Sequence, residues 1–334
     1  MSFIKAVAAL ALATLAGSYS AAHAADPEIK LGFAKCAHCV PMSLTPQLAK
    51  GVKIDATAFT SGNDVLTALV SKSVDVAQVT YLHFVTALDK GFDVVAISGQ
   101  VNGGSELLSA PGLNLKADDW DALKKLVAER KKAGQPLRVA ASRGNAQDLH
   151  MRGVLATHGI DPDKDVQFIN IPNPADHAAA LQRNEIDLVS TVEPFASQIR
   201  MNGAGKHFDF PYDQAAGKLT NLIVTRSDVI KDKPQAVQAT VDAVVALVDK
   251  LKSDRQVWIE SISKYTALDP KVAAAALDNA YPDYAMYQKQ TLAIAKMMKD
   301  LHYVSTDVGA QIPAHMDYGF LAKATGKSKS DLGD

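Results

Sequence analysis

The sequence predicts an α/β protein made of two similar lobes. Strand patterns alternate with amphipathic helix patterns over the first two thirds of the chain, and parallel sheets covered by helices arise from that alternation. One helix–turn–strand segment also recurs at a fixed offset. The composition agrees: 48% of the 334 residues are hydrophobic and only 6% are aromatic, which suits layers filled by Ala, Val and Leu.

The first residues carry an address. Lys5 precedes an apolar run from Ala6 to Ala16, and Ala22-His23-Ala24 offers small residues where a signal peptidase cuts. The run is short of the ~20 residues that span a bilayer, so residues 1–24 are expected to be a cleaved secretory signal and the mature protein to be periplasmic. The remaining chain is long enough for two lobes of ordinary domain size. Over the full sequence, 35 basic and 36 acidic residues balance, which argues against a nucleic-acid partner.

The elements then follow in order. Glu28–Phe33 and Val52–Phe59 alternate polar and apolar residues as strands do. Ser61-Gly62-Asn63-Asp64 opens a helix whose apolar face is Val65, Leu66, Ala68, Leu69 and Val70. Val74–Val79 reads as a buried strand, Tyr81–Asp89 as a helix stopped by Gly91, and Asp93–Ser98 as a strand. Right-handed crossovers make this βαβαβ run a parallel sheet. A second run follows: strand Leu137–Ala141, helix Ala146–His158, strand Val166–Ile171, helix Ala175–Arg183 and strand Ile186–Ser190. The two runs share an ungapped echo. Asp64 and Asp176, and Asp75 and Asp187, are each separated by 112 residues, with apolar positions matching between them. The last third reads as helices, starting at Pro234 and recurring near Val272–Asn279 and Thr291–Leu301; the polar tail Lys327–Asp334 reads as loose.

These segments resemble the nitrate/sulfonate/taurine group of ABC-transporter solute-binding proteins, which also includes binders of thiamine pyrimidine precursors. The resemblance is carried by Phe59-Thr60-Ser61-Gly62-Asn63-Asp64-Val65-Leu66, Val74-Asp75-Val76-Ala77, Leu137-Arg138-Val139-Ala140, Val154–Pro162, Ala180–Asp187 and Val192-Glu193-Pro194-Phe195, and it extends to His302-Tyr303-Val304. It implies a type II periplasmic binding fold with a ligand cleft between the lobes. Crossing strands are expected near Ser105–Ala110 and Leu219–Thr225. Lobe one would be residues 25–108 plus 220–334, and lobe two residues 109–219. It further implies a monomer that closes on a small-molecule ligand and docks on an ABC-transporter permease, with no cofactor and no catalysis.

Ligands of open α/β sheets sit beyond the C-terminal strand ends. That rule selects the loops Lys35–Cys39, Thr60–Asn63, Thr80–His83, Gln100–Gly104, Ser142–Asn145 and Thr191–Phe195, and within them Cys36, Ala37, His38, Ser61, Thr80, Tyr81, Asn102, Arg143, Gly144, Asn145, Thr191, Glu193 and Phe195. Helix starts in these loops favour anions. Arg143 is the candidate for a bidentate grip on a carboxylate or sulfonate, beside Gly144, which lets a ligand oxygen approach the backbone. Tyr81 and Phe195, with His83 and Phe84 nearby, are candidates to sandwich a flat ligand. Glu193 opposes an anion unless it pairs with Arg143 or accepts from a ligand hydroxyl or amine. A sulfonate or carboxylate is therefore the first ligand class and a pyrimidine or other heterocycle the second. Cys36 and Cys39 are the only cysteines. An oxidising compartment makes a disulfide the default. The alternative is a redox or metal-handling periplasmic protein using Cys36 and Cys39, although no thioredoxin-like context surrounds the pair and a metal on Cys36, His38 and Cys39 needs further ligands that the sequence does not identify.

Overall fold

A computed structural model describes residues 26–334, so the proposed leader lies outside the described residues. Among those residues no helix is long and apolar enough to cross a membrane. The chain lays down β1 (Glu28–Ala34), β2 (Lys53–Phe59), β3 (Val76–Thr80) and β4 (Val94–Gly103), then β5 (Ser105–Ser109), β6 (Leu137–Ala141), β7 (Val166–Asn170), β8 (Leu188–Val192) and β9 (Lys206–Asp209), and returns with β10 (Asn221–Arg226) and β11 (Ala280–Asp283). They form two sheets, β11-β4-β10-β3-β1-β2 and β7-β6-β8-β5-β9, the mixed α/β architecture that the alternation predicts.

The two sheets share a plan. β1 pairs in parallel with β2 and β3, and β6 pairs in parallel with β7 and β8. Each sheet also takes an antiparallel strand at the chain's crossing, β10 beside β3 and β5 beside β8. The repeated aspartates do the same work in both copies. The Asp75 N–H donates to the Lys30 carbonyl at 2.7 Å while its carboxylate accepts from the Lys30 N–H at 3.1 Å. The Asp187 N–H donates to the Arg138 carbonyl at 2.8 Å while its carboxylate accepts from the Arg138 N–H at 2.8 Å. A side-chain oxygen here extends the ladder by one rung at the strand entrance, which explains why Asp recurs in otherwise apolar strands.

Both faces of the second sheet are buried. Leu107, Val139 and Leu188 enter one apolar cluster, and their neighbours Leu108, Ala140 and Val189 enter another, as period-two alternation requires. The first sheet is backed by helix Pro234–Ser253, with Pro at its start and Val237, Val241, Val244 and Val248 on its buried stripe.

The chain passes from the first sheet to the second at Gly103 and Gly104, both with left-handed φ (+88° and +80°); Ser105–Ser109 already belongs to the second sheet. Two expectations need correction. Gln100–Gly103 is strand rather than loop, held by pairing with β11. The tail is not loose: Leu332 is fully buried, and the Leu332 and Gly333 carbonyls accept from the Met286 and Gln288 N–H groups. A single apolar residue in a polar octapeptide is enough to anchor it. Helices Trp120–Lys132, Phe195–Met201 and Arg255–Thr266, and strands β9 and β11, are additions that the pattern did not reveal.

Candidate functional site

The loop after β1 forms one wall of the space between the sheets. Lys35 N–H donates to the Phe59 carbonyl, which holds the loop to β2. Cys36 and Cys39 are joined by a disulfide, and the Cys39 and Val40 N–H groups close a tight turn onto the Cys36 carbonyl. Ala37 faces away from the space: its N–H donates across to the Glu193 carbonyl at 2.8 Å, and its carbonyl accepts from Trp258 Nε1 at 2.7 Å. His38 packs on Gly104, where a Cβ would lie 2.4 Å from the ring, so only glycine fits at that crossing. Burial, with the His150 charge adding to it, pushes the His38 imidazole down to about 3 and keeps it neutral. Cys36, His38 and Cys39 group three atoms of metal-ligand type, but the sulfurs are bonded to each other, and thiolates are what a soft metal needs.

Two helix starts form the adjoining wall. Ser61 caps helix Gly62–Val70 in a reciprocal box with Asp64, and Thr80 caps helix Tyr81–Asp89 in the same manner with His83. The His83 Nδ1 accepts from the Thr80 N–H, so Nε2 carries the proton and donates to Asn63 Oδ1 at 3.1 Å. Burial holds His83 down to about 4, in that neutral form. Asn63 Nδ2 then donates to the Arg143 carbonyl at 3.2 Å. This relay ties the first sheet's loops to those of the second.

The opposite wall is the turn before helix Ala146–Thr157. Asn145 precedes that helix without a side-chain cap bond, and its Nδ2 donates to Ser142 Oγ. The turn's backbone donors are already engaged: Arg143 N–H meets Asn170 Oδ1, and Gly144 N–H meets the Asp148 carboxylate, each at 2.9 Å.

Between these walls lies a small cavity of about 50 Å³. Of the residues singled out from sequence, Cys36, His38, Ser61, Thr80 and Asn145 line it together. The others are placed elsewhere. The Tyr81 ring is buried with its hydroxyl on the Met286 carbonyl. Asn102 Oδ1 accepts from the Thr220 N–H. Thr191 Oγ1 bonds His177 Nδ1 at 2.7 Å. Glu193 is buried, accepts from the Ser197 N–H and pairs with Arg200 rather than Arg143. Phe84 belongs to the first sheet's core, and Phe195, half-buried, packs against it. Arg143 is exposed, and neither its side chain nor Gly144 lines the cavity.

Lys35, Gln78, Gln147, Pro174 and Val192 also line the cavity without having been singled out. Gln78 carried a signal: it is the one amide in the buried run Val76-Ala77-Gln78-Val79. Lys35 is the only formally charged side chain among the described lining residues, which include no carboxylate and no Phe, Tyr or Trp. Hydroxyls, amides, three helix starts and one cation fit a compact acceptor-rich ligand rather than a flat ring needing a stacking partner.

Comparison with known proteins agrees with this architecture. The model of the NMT1-like family matches residues 22–289. The chain is 24% identical over 286 residues to YtlA of Bacillus subtilis (strain 168), a protein named for an inferred binding role, covering 81% of this chain and 79% of that one. Among solved structures, the periplasmic nitrate-binding protein NrtA from Synechocystis PCC 6803 superposes with a TM-score of 0.77 at 17% identity, over 92% of this chain and 91% of that one. The alkanesulfonate-binding protein SsuA from Xanthomonas axonopodis pv. citri, bound to MOPS, gives 0.71 at 17% identity, over 89% and 100%. At such identities the structural likeness carries the fold.

Proposed function

We propose, from the premise that this chain belongs to the NMT1-like family, that it is the substrate-binding component of an ABC importer and holds a small organic anion in the cavity between its two sheets. The observation that carries the anion assignment is the lining itself. The starts of helices Gly62–Val70, Tyr81–Asp89 and Ala146–Thr157 meet there with Lys35, and no carboxylate opposes them among the described lining residues. Positive helix ends and an ammonium each favour negative charge. Sulfonates and aliphatic carboxylates fit that lining. Pyrimidines rank below them, since Tyr81, Phe84 and Phe195 supply no stacking face to the cavity.

In this account the mature protein works in the periplasm as a monomer without catalysis. The lobes move about the Gly103-Gly104 crossing, where two consecutive left-handed glycines let the backbone turn. Ligand touches both walls only when they are together, so binding shifts the population toward closure, and the closed form is what a permease recognises. The disulfide braces the wall that carries His38 and Lys35.

The test is a thermal-shift and calorimetric screen of the mature chain. Alkanesulfonates and short carboxylates are expected to bind saturably and raise the melting temperature, by the ~2.7 kcal/mol of linkage available at a hundredfold excess over Kd. Stabilisation by amines or neutral heterocycles alone would refute the anion assignment. A Lys35→Glu variant is expected to lose most of the anion affinity.

A further inference from the structure

We propose that the ligand has two polar ends, an anionic group held by the helix starts and Lys35, and a hydrogen-bond donor presented to Gln78, which makes Gln78 the specificity-determining residue. The proposal rests on the anion-binding reading and narrows it to hydroxy-substituted organic anions or others bearing a comparable donor.

Gln78 is 1% exposed and lines the cavity, yet its Oε1 is shielded from solvent and has no protein partner. Buried amide oxygens are almost always paired. Some of the exceptions in this molecule lie together. Ten buried side-chain atoms among the described residues lack a partner, and four of them, on Gln78, Asn221, Gln100 and His38, belong to the cleft end of the first sheet and the loop above it. The strand register explains the grouping. Asn221 lies opposite Thr80, two residues from Gln78 and therefore on the same face. Asn221 Nδ2 reaches Gln100 Oε1 at 3.4 Å on the next strand. A row of amides thus crosses the sheet, and its end in the cavity is Gln78.

His38 Nδ1 in the cavity wall is likewise unpaired, but it packs against Gly104, and several other polar groups of the cavity have occupations. Ser142 Oγ donates to the Pro172 carbonyl, Gln147 Nε2 to Ser105 Oγ, and Thr80 Oγ1 is shared with His83. Closing the lobes over a ligand whose far end is apolar, or only accepts hydrogen bonds, leaves the Gln78 carbonyl unpaired. An unpaired buried acceptor weakens the equilibrium that buries it about tenfold or more. A donor on the ligand removes that penalty, which is how a site rejects the analogue lacking a hydroxyl.

Calorimetry with near-isosteric pairs tests this: 3-hydroxypropane-1-sulfonate against butane-1-sulfonate, and 4-hydroxybutyrate against pentanoate. The wild-type protein is expected to prefer the hydroxylated member about tenfold. Gln78→Met, checked for folding by its ligand-free melting curve, is expected to lose the preference while still binding butane-1-sulfonate. Equal affinities in the wild type would overturn the proposal and leave the anion reading standing, with water serving Gln78 instead. A preference that survives Gln78→Met overturns the role of Gln78. Failure of all four anions to bind removes the anion reading and this proposal together. Should Gln78→Met not fold, the wild-type comparison decides alone.

Discussion

Asn63 offers a direct measure of how much one bond across the cleft contributes to closure. Its Nδ2 donates to the Arg143 carbonyl at 3.2 Å, and its Oδ1 accepts from His83 Nε2 at 3.1 Å. In Asn63→Ala both bonds are lost, but they bear on different equilibria. His83 and Asn63 lie on the same side of the cleft, so losing their bond costs the open and closed forms alike. On the hinge-closure reading, the bond to Arg143 forms only when the walls meet. The differential cost is therefore one partly solvated hydrogen bond, about 1 kcal/mol, or about fivefold in the closure constant. Where the free protein is mostly open, ligand Kd rises by the same factor. Isothermal titration with the best anion from the screen reads that change, and X-ray scattering reads the fraction compacted at saturation. Arg143→Ala is the control, because it keeps the carbonyl and removes a guanidinium that lines nothing; its Kd is expected to stay within about twofold at physiological salt. Unchanged affinity in Asn63→Ala, or a larger loss in Arg143→Ala, would refute the reasoning and restore Arg143 as the anchor.

Three further outcomes follow from the same geometry. Replacing Cys36 and Cys39 together with serine releases a loop with a sequence separation of 3, for which chain entropy gives about 2 kcal/mol; calorimetry should show the wild type dropping toward the variant's melting point in reductant, and equal melting points without reductant would contradict it. Burial, helped by the negative charge of Glu106, raises Glu193 to about 7, against the pull of Ser197 and Arg200. The folded protein thus holds the proton more tightly than the unfolded chain. Stability relative to Glu193→Gln is therefore expected to fall as pH rises from about 4.5 to about 7, by at most about 3 kcal/mol. Denaturant titrations at pH 5 and pH 8 check this, and a difference that does not change with pH, or changes the other way, rules it out. Leu332→Ala should destabilise by about 3 kcal/mol, as for a fully buried leucine, with faster exchange at the Met286 and Gln288 amides; a silent substitution would return the tail to the loose state that its polarity suggests.

Much of the architecture was legible in the residues. Hydrophobic period distinguishes strand from helix locally, so β6 and helix Tyr81–Asp89 match their expected bounds. The 112-residue echo located two equivalent units, and the aspartates at their strand entrances bond their neighbours in the same way. Loops beyond strand ends also border the cavity, where Cys36, His38, Ser61, Thr80 and Asn145 come together. What the pattern could not supply was direction within a loop. Arg143 and Gly144 have the chemistry of an anion grip, but Asn170 and Asp148, 27 and 4 residues away in their respective bonds, occupy the backbone donors. Tyr81 begins a helix at the cleft edge, yet its ring turns into the core toward Met286, 205 residues away.

By itself, then, the sequence determined the order of strands and helices, their repetition, and the loops that border the cleft, because those depend on contacts between near neighbours and on the period of apolar residues. Tertiary structure alone decided which donors remain free, which charge faces the cavity, and that Gln78 on a buried strand has an unpaired oxygen there. A hydrogen bond's availability depends on every group that competes for it, and those competitors are brought together only by the fold.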